Sequence, residues 1–297
     1  MRRPLLCLLT AFSALTLMAL AGCRKTQEPH LIIGSKFFTE QVILAELLAQ
    51  HIEARTGAHV DRKSNLGGTL LCQRALLAGD LDLYVEYTGT ALTAVLNESP
   101  SRNAQDVYDR VKRGYAQRFN LEVTEPLGFE NTFAMVVRGD EAQSLHLQNT
   151  SDIVPFAPKM RAGFGFEFLE RPDGFHGWSQ VYGLHFAAPP SVMDLGLIYR
   201  ALVDKKVDIV AGNSTDGLID ALHLVPLVDD KHYFPPYDAV PIVRRDALAK
   251  FPQLRAALAD LANKISGEEM RHMNAEVDAD QRDATAVVRA FRASKSL

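Results

Sequence analysis

Cysteine is scarce in this sequence, with three residues among 297. Cys7 and Cys23 lie in the N-terminal segment, so Cys72 is the one thiol of the chain that follows it. A single thiol excludes an internal disulfide, and it also excludes a zinc site built from closely spaced cysteine pairs. Cys72 stands beside apolar residues on an expected helix, where we predict a small core residue.

The sequence also lacks an excess of basic charge. Its 32 Lys and Arg against 36 Asp and Glu give a net charge of -4, spread along the chain. No basic stripe is present, which excludes nucleic acid as a partner. Ser214 does not lie in a Gly-x-Ser-x-Gly turn, and His176, His185, His223 and His232 lack metal-binding spacing. We therefore expect neither an enzyme nor a metal or cofactor site.

The N-terminus has the layout of an export signal. After a short basic start, the apolar stretch 4–20 is too short to be a membrane span, and no second apolar segment follows it. Leu20-Ala21-Gly22-Cys23 resembles a lipobox, in which the cysteine is acylated; an ordinary signal peptide containing a cysteine is the alternative. We expect a signal peptide over 1–22, lipidation at Cys23, and a tether over 23–30. The protein would then be anchored to a membrane on its periplasmic or extracytoplasmic face.

Beyond the tether, short apolar runs alternate with segments of helical spacing. Residues 31–34 predict a strand, and the apolar spacing between Thr39 and Gly57 predicts a helix that ends at the glycine. A second helix is expected to open at Thr69 and to stop at Gly79. Such alternation predicts an α/β fold with mostly parallel sheets.

One stretch of the first half is echoed in the second half. Residues 75–83 align without a gap with residues 201–209, and continuing the alignment places Tyr87 opposite Asn213. A chance match of two helix–turn–strand units is the alternative. If the echo is structural, two similar lobes each present a turn at the carboxyl end of a strand, where open α/β sheets bind ligands.

These patterns predict two lobes around a shared cleft. We expect lobe 1 to comprise residues 31–136 and 239–297, and lobe 2 to comprise residues 137–238. The last part of the chain, from Asp246, has helical spacing and is expected to pack on lobe 1.

Seven ordered segments carry a family resemblance across nearly the whole chain after the tether. They are GSKFFTEQ (34–41), NLGGT (65–69), DLYVEYTGT (82–90), GFENTF (128–133), FEFLERPDG (166–174), STDG (214–217) and DDKHYFPPYD (229–238). They resemble the binding proteins of osmoprotectant ABC importers, which take glycine betaine, choline, carnitine and related quaternary amines. The resemblance implies the two-lobed periplasmic-binding-protein fold of type II, with two crossovers between the lobes. It also implies delivery of ligand to an ABC permease and its ATPase, and we expect a monomer.

The chemistry of a betaine matches residues in these segments. A trimethylammonium group cannot donate hydrogen bonds and is best surrounded by aromatic faces, whereas a carboxylate needs cationic or hydroxyl donors. The resemblance implies aromatic walls from Tyr87, Tyr237 and Phe133, the last standing where many members have tyrosine. It implies carboxylate contacts from Lys36, Thr90 and Arg171. A loop lysine and a surface turn arginine are the alternatives for Lys36 and Arg171.

Asn213 is the larger departure from the family pattern, because tyrosine often precedes the STDG segment. An aromatic residue of a neighbouring loop could replace that wall, and Trp178, Phe175 and Tyr182 are the candidates. Alternatively the ligand has a polar group facing Asn213 and Glu130, as a larger betaine such as ergothioneine has. Low affinity for the usual osmolytes is a third possibility. A sensory or accessory binding lipoprotein that is not coupled to transport is the alternative function.

Overall fold

The computed structural model describes residues 30–297. The expected signal peptide, Cys23 and the tether up to residue 29 lie outside the described residues. Within residues 30–297, no helix is long and apolar enough to cross a membrane.

The first of two five-stranded sheets is built from both ends of the described chain. Its strands follow the order β2-β1-β3-β10-β4. Their bounds are β1 His30–Gly34, β2 His59–Lys63, β3 Leu83–Tyr87, β4 Leu121–Val123 and β10 Ala239–Arg244.

The second sheet is formed by the middle of the chain, in the order β7-β6-β8-β5-β9. Its strands are β5 Phe133–Arg138, β6 Ala162–Gly165, β7 Ser191–Met193, β8 Ile209–Asn213 and β9 Leu224–Leu227. The chain crosses from the first sheet to the second between β4 and β5, and returns between β9 and β10. This confirms the predicted α/β architecture with two crossovers.

The prediction of mostly parallel sheets is wrong for the strands that follow the crossovers. β10 runs antiparallel to β3 and β4, and β5 runs antiparallel to β8 and β9. The registers give the reason, since Ala239 pairs with Tyr87 and Phe133 pairs with Asn213. Each crossover delivers the chain to the edge where β3 or β8 ends, so the entering strand can only run away from that edge.

The sheet membership of β5 also bears on the lobe boundaries. The whole strand Phe133–Arg138 belongs to the second sheet. The first crossover therefore lies between Val123 and Phe133, upstream of the expected boundary after residue 136. We propose that lobe 2 comprises residues 133–238 and that lobe 1 comprises the rest of the described chain.

Glycine ends the first two helices, as predicted. Helix Thr39–Thr56 ends at Gly57 with φ 69°, and helix Thr69–Ala78 ends at Gly79 with φ 84°. This left-handed backbone costs glycine little, and it lets the glycine N–H satisfy carbonyls of the last turn. Cys72 is fully buried on the second helix, which confirms its core position.

The remaining helices lie between or after the strands in the chain. Their bounds are Thr88–Thr90, Ala91–Val95 (a π-helical turn), Ala104–Phe119, Gly139–Leu145, Thr150–Ile153 and Ala157–Lys159 (both 3-10), Phe166–Glu170, Phe175–Tyr182, Ile198–Val203, Leu218–Ala221, Arg245–Lys250, Leu254–Asp260, Gly267–Asp278 and Ala284–Lys295.

The C-terminal helices pack where the sequence predicts. Leu254–Asp260, Gly267–Asp278 and Ala284–Lys295 all lie against helix Thr39–Thr56 beside the first sheet. Helix Gly267–Asp278 also contacts helix Leu218–Ala221 of the middle region. The C-terminal part therefore braces both lobes.

Candidate functional site

A cavity of about 610 Å³ lies between residues of the two sheets. It contains all seven residues predicted to bind ligand, namely Lys36, Tyr87, Thr90, Phe133, Arg171, Asn213 and Tyr237. A volume of this order is typical of small-molecule sites, which fall at about 300–1,000 Å³. The cavity is therefore large enough to enclose a small organic ligand.

Strand ends position two of these residues in equivalent places. Tyr87 is the last residue of β3 and Asn213 is the last residue of β8, each the third strand of its sheet. The echo in the sequence is therefore structural. It brings both residues to the carboxyl ends of strands, at the shared cavity.

Arg171 spans the cleft and is held in a buried ion pair. Its Nη1 donates to Thr90 Oγ1 at 2.8 Å, while its Nε and Nη2 donate to the two oxygens of Asp173 at 2.9 and 2.5 Å. Tyr237 Oη donates to the same carboxylate at 2.6 Å. Burial acts to lower the pKa of Arg171, but the charge of Asp173 outweighs it and the pKa is raised. Burial acts to raise the pKa of Asp173, and the charge of Arg171 reverses this and lowers it.

Lys36 is also buried and paired. Its ammonium group contacts Glu86 and lies 4.9 Å from the centroid of the Tyr87 ring. Glu86 further accepts from the Tyr87 backbone N–H at 2.8 Å and from Tyr84 Oη at 3.1 Å. Because Glu86 neutralises it, Lys36 attracts an anion more weakly than a free ammonium would.

The aromatic lining is richer than the sequence predicts. Phe37, Phe38, Phe166 and Phe168 line the cavity in addition to the three predicted rings. Phe38 stacks on Tyr87 with centroids 6.4 Å apart.

The Phe133 ring lies against charged and aromatic neighbours at once. It meets Tyr237 edge to face at 5.9 Å, and the Arg171 guanidinium carbon lies 5.0 Å from its centroid. Aromatic rings therefore already lie near the two cationic groups of the wall, Lys36 and Arg171.

The aromatic residues suggested as replacements for the missing wall lie on helix Phe175–Tyr182 and do not line the cavity. Trp178 is fully buried and packs against Phe164, Phe168 and Phe186. Phe175 belongs to this aromatic cluster and Tyr182 packs on Trp178, and neither lines the cavity. That expectation is wrong, because these rings fill the core of the second lobe.

Glu130 does not accompany Asn213 either. It is exposed, pairs through its backbone with Asp238, and is absent from the cavity lining. The polar partner of Asn213 is Asp216, one turn further along the chain. The Asn213 side-chain nitrogen donates to the two Asp216 oxygens at 3.3 and 3.4 Å, and its backbone N–H donates at 2.9 Å.

Asp216 is fixed in turn by Tyr199, whose hydroxyl donates to it at 2.5 Å. Burial raises the pKa of Asp216 to about 6, and the nearby charge of Glu40 adds to this effect against the hydrogen bonds that lower it. Asn213 is therefore held by a buried carboxyl group whose pKa is raised.

Glu40 is a buried carboxylate that sequence reasoning missed. Its Oε1 accepts from Tyr87 Oη at 2.5 Å and from Asn131 Nδ2 at 2.9 Å. Its Oε2 accepts from Thr215 Oγ1 at 2.5 Å and from Asn274 Nδ2 at 3.1 Å. Burial raises the pKa of Glu40 even though these four hydrogen bonds act to lower it. One side chain therefore joins both lobes and a C-terminal helix just behind the cavity.

A second contact across the cleft joins a carboxylate to a helix start. Glu167 Oε1 accepts from the backbone N–H of Thr69, the first residue of helix Thr69–Ala78, at 2.9 Å. Negative charge is favourable at a helix N-terminus because unpaired N–H groups point outward there. Gly68 permits this approach, since a Cβ at that position would lie 1.9 Å from the same oxygen.

Known proteins resemble this chain along almost its whole length. Residues 29–294 match the family described as the substrate binding domain of ABC-type glycine betaine transport system. The chain is 35% identical over 286 residues to the carnitine transport binding protein OpuCC of Listeria monocytogenes, covering 96% of this chain and 92% of that protein.

Two further matches are informative. The chain is 32% identical over 268 residues to the ergothioneine transport permease/ergothioneine binding protein EgtU of Helicobacter pylori, covering 89% of this chain and 47% of that longer protein. A solved structure described as a glycine betaine/carnitine/choline ABC transporter superposes with a TM-score of 0.75 at 31% identity, covering 90% of this chain and 98% of the other. The chain belongs to the family of substrate-binding domains of ABC-type glycine betaine transport systems.

Proposed function

We propose that this protein captures a zwitterionic quaternary ammonium compound of the glycine betaine or carnitine type and delivers it to an ABC permease and its ATPase. The observation that carries the proposal is the position of Arg171. It is held against Thr90 across a cavity that seven aromatic side chains help to line. Aromatic faces suit a cation that has no hydrogen-bond donor, while a guanidinium and a hydroxyl suit a carboxylate.

The roles of the lining residues follow from these contacts. Arg171 and Thr90 bind the ligand carboxylate. Lys36, which is paired with Glu86 as Arg171 is paired with Asp173, is a further cationic donor in the wall. Tyr87, Tyr237 and Phe133 enclose the cation. The Thr90 hydroxyl accepts from Arg171, so its own proton remains available for a ligand oxygen.

The cellular setting is part of the same proposal. Lipidation at Cys23 would hold the protein on the outer face of a membrane, where a monomer could exchange ligand with the permease. A sensory lipoprotein would need the same anchor. Finding genes for a permease and an ATPase beside the gene of this protein would favour transport, and finding none would favour sensing.

A larger betaine is the second candidate ligand. Asn213 lines the cavity where the family often has tyrosine, and an amide binds a polar group rather than a bare trimethylammonium. The resemblance to an ergothioneine-binding protein supports this alternative.

Calorimetric titration of the mature protein with glycine betaine, choline, carnitine and ergothioneine tests the proposal. We expect saturable binding of at least one compound. Absence of binding by all four, with the protein shown to be folded by circular dichroism, would reject the ligand class.

A further inference from the structure

The Asn213 side chain is locked in one orientation. Its nitrogen donates to both oxygens of Asp216, and Asp216 is itself fixed by the Tyr199 hydroxyl and by the Asn213 backbone N–H. A flipped amide would place an oxygen against the carboxylate, which repels it. Within residues 30–297, no group donates a hydrogen bond to Asn213 Oδ1.

Asn131 repeats this arrangement in the same cavity wall. Its Nδ2 donates to Glu40 Oε1 at 2.9 Å. Its Oδ1 is buried and has no hydrogen-bond partner in the part of the chain that the structure describes. Two carboxylates therefore bind the amide nitrogens of two cavity-lining asparagines. The Asn131 oxygen is fully buried, so the Asn213 oxygen is the acceptor of the two that a ligand can reach.

The Asn213 acceptor fits poorly with a fully methylated ligand. A trimethylammonium group has no N–H, so it leaves an amide oxygen without a donor, and a buried polar group without a partner is unfavourable. A hydroxyl, a protonated tertiary amine or an imidazole N–H supplies the missing donor. The aromatic lining still accommodates the apolar and cationic parts of such a molecule.

We propose that Asn213 Oδ1 selects zwitterions that carry an N–H or O–H donor in addition to their carboxylate, an inference that rests on the function proposed above. Asn213 contacts the ligand directly. Asp216 acts through Asn213, as a positioning residue that fixes which end of the amide faces the ligand. The cleft therefore discriminates against donor-free betaines of the same size and charge.

Matched ligand pairs test this selectivity in the mature protein by calorimetry. Carnitine and γ-butyrobetaine differ by one hydroxyl, and N,N-dimethylglycine and glycine betaine differ by one N–H in place of a methyl. In the wild type we expect the donor-bearing member of at least one pair to bind about tenfold more tightly, as one good hydrogen bond allows. Equal affinities within both pairs would overturn the inference while leaving the proposed function intact.

Two variants assign the effect to Asn213. N213L removes the acceptor at similar volume and should bring the affinity ratio close to one. D216N replaces the carboxylate that orients the amide and should reduce the ratio partly, which keeps the test available if N213L does not fold. Q143L, which removes an exposed amide on helix Gly139–Leu145 away from the cavity, is the matched control and should keep the wild-type ratio.

The results separate the two proposals. If N213L and D216N both fold and both keep the wild-type affinity ratio, the role of Asn213 is overturned. Failure of the wild type to bind any of these four compounds, and choline and ergothioneine as well, would instead reject the proposed function on which the inference rests.

Discussion

Tyr87 and Asn213 occupy the same place in the two sheets, each ending the third strand and each pairing with the first residue of a strand that enters from the other lobe. Tyr87 pairs with Ala239, and Asn213 pairs with Phe133. The two strand ends face one cavity, so one presents an aromatic ring and the other an amide. We propose that this difference between two equivalent positions determines which ligand chemistry the cleft binds.

Replacing the Asn213 amide by an aromatic ring should increase the affinity for a fully methylated cation. We expect N213Y to bind glycine betaine more tightly, by about 2- to 30-fold, because one aromatic face contributes roughly 0.5–2 kcal/mol to cation binding. Calorimetric titration of wild type and variant measures the change. No gain would indicate that the rings already present, such as Phe38 and Phe166, enclose the cation fully.

Arg171 should distinguish ligands by their carboxylate. We expect R171K to weaken glycine betaine binding by about 10- to 100-fold, because lysine keeps the charge but loses the planar fork that contacts Thr90 and Asp173 together. Choline has no carboxylate and should lose little affinity. Equal losses for the two ligands would contradict the assigned role.

Glu40 should matter for stability. E40Q places an amide nitrogen where the carboxylate accepts two donors, so we expect a loss of about 1–3 kcal/mol in the free energy of unfolding. Urea denaturation measures it. E46Q, on the same helix, breaks a partly exposed ion pair with Arg62 and should cost less than about 1 kcal/mol. Similar losses of unfolding free energy in E40Q and E46Q would argue against a stabilising role for the buried hydrogen bonds of Glu40.

Asp216 should make stability depend on pH in an unusual direction. Burial raises its pKa to about 6 from an ordinary 3.8, so between these values the folded state binds more protons than the unfolded state. The Asp216 contribution to the free energy of unfolding therefore increases as pH falls from 7 to 4, by at most about 3 kcal/mol.

Denaturation of wild type and D216N at pH 7 and pH 5 isolates this contribution. The stability of the wild type relative to D216N should be greater at pH 5. A difference between the two proteins that does not change with pH would contradict the raised pKa.

Glu167 should assist closure of the lobes around ligand. E167A removes the contact with the Thr69 N–H, and we expect about fivefold weaker ligand binding and a larger radius of gyration in small-angle scattering. E268A changes an exposed carboxylate on helix Gly267–Asp278 that does not line the cavity, and it serves as the comparison. Scattering curves that are identical for wild type and E167A would exclude a role in closure.

Local signals explain how much of the fold and the site could be predicted. Gly57 and Gly79 end helices because of their own backbone freedom, which a sequence displays directly. The gap-free echo that places Tyr87 opposite Asn213 reflects two strands of equal length in equivalent positions. The motif resemblance identified seven candidate residues, and all seven line one cavity in the structure.

The rest depended on contacts between distant segments. Glu40 accepts hydrogen bonds from residues 87, 131, 215 and 274, and no local pattern shows that a helix-start glutamate turns inward to meet them. Trp178 is similar, because its burial depends on rings that lie on other elements of lobe 2. The reversed direction of β5 and β10 follows from where the crossovers arrive, which is a property of the whole topology.

A crystal structure of the mature protein with its tightest calorimetric ligand tests the central claim most directly. We predict a ligand carboxylate within hydrogen-bonding distance of Arg171 or Thr90, and a cationic group against the faces of Tyr87, Tyr237 or Phe133. A ligand bound outside this cavity, or one bound inside it with no carboxylate contact to Arg171 or Thr90, would contradict the claim.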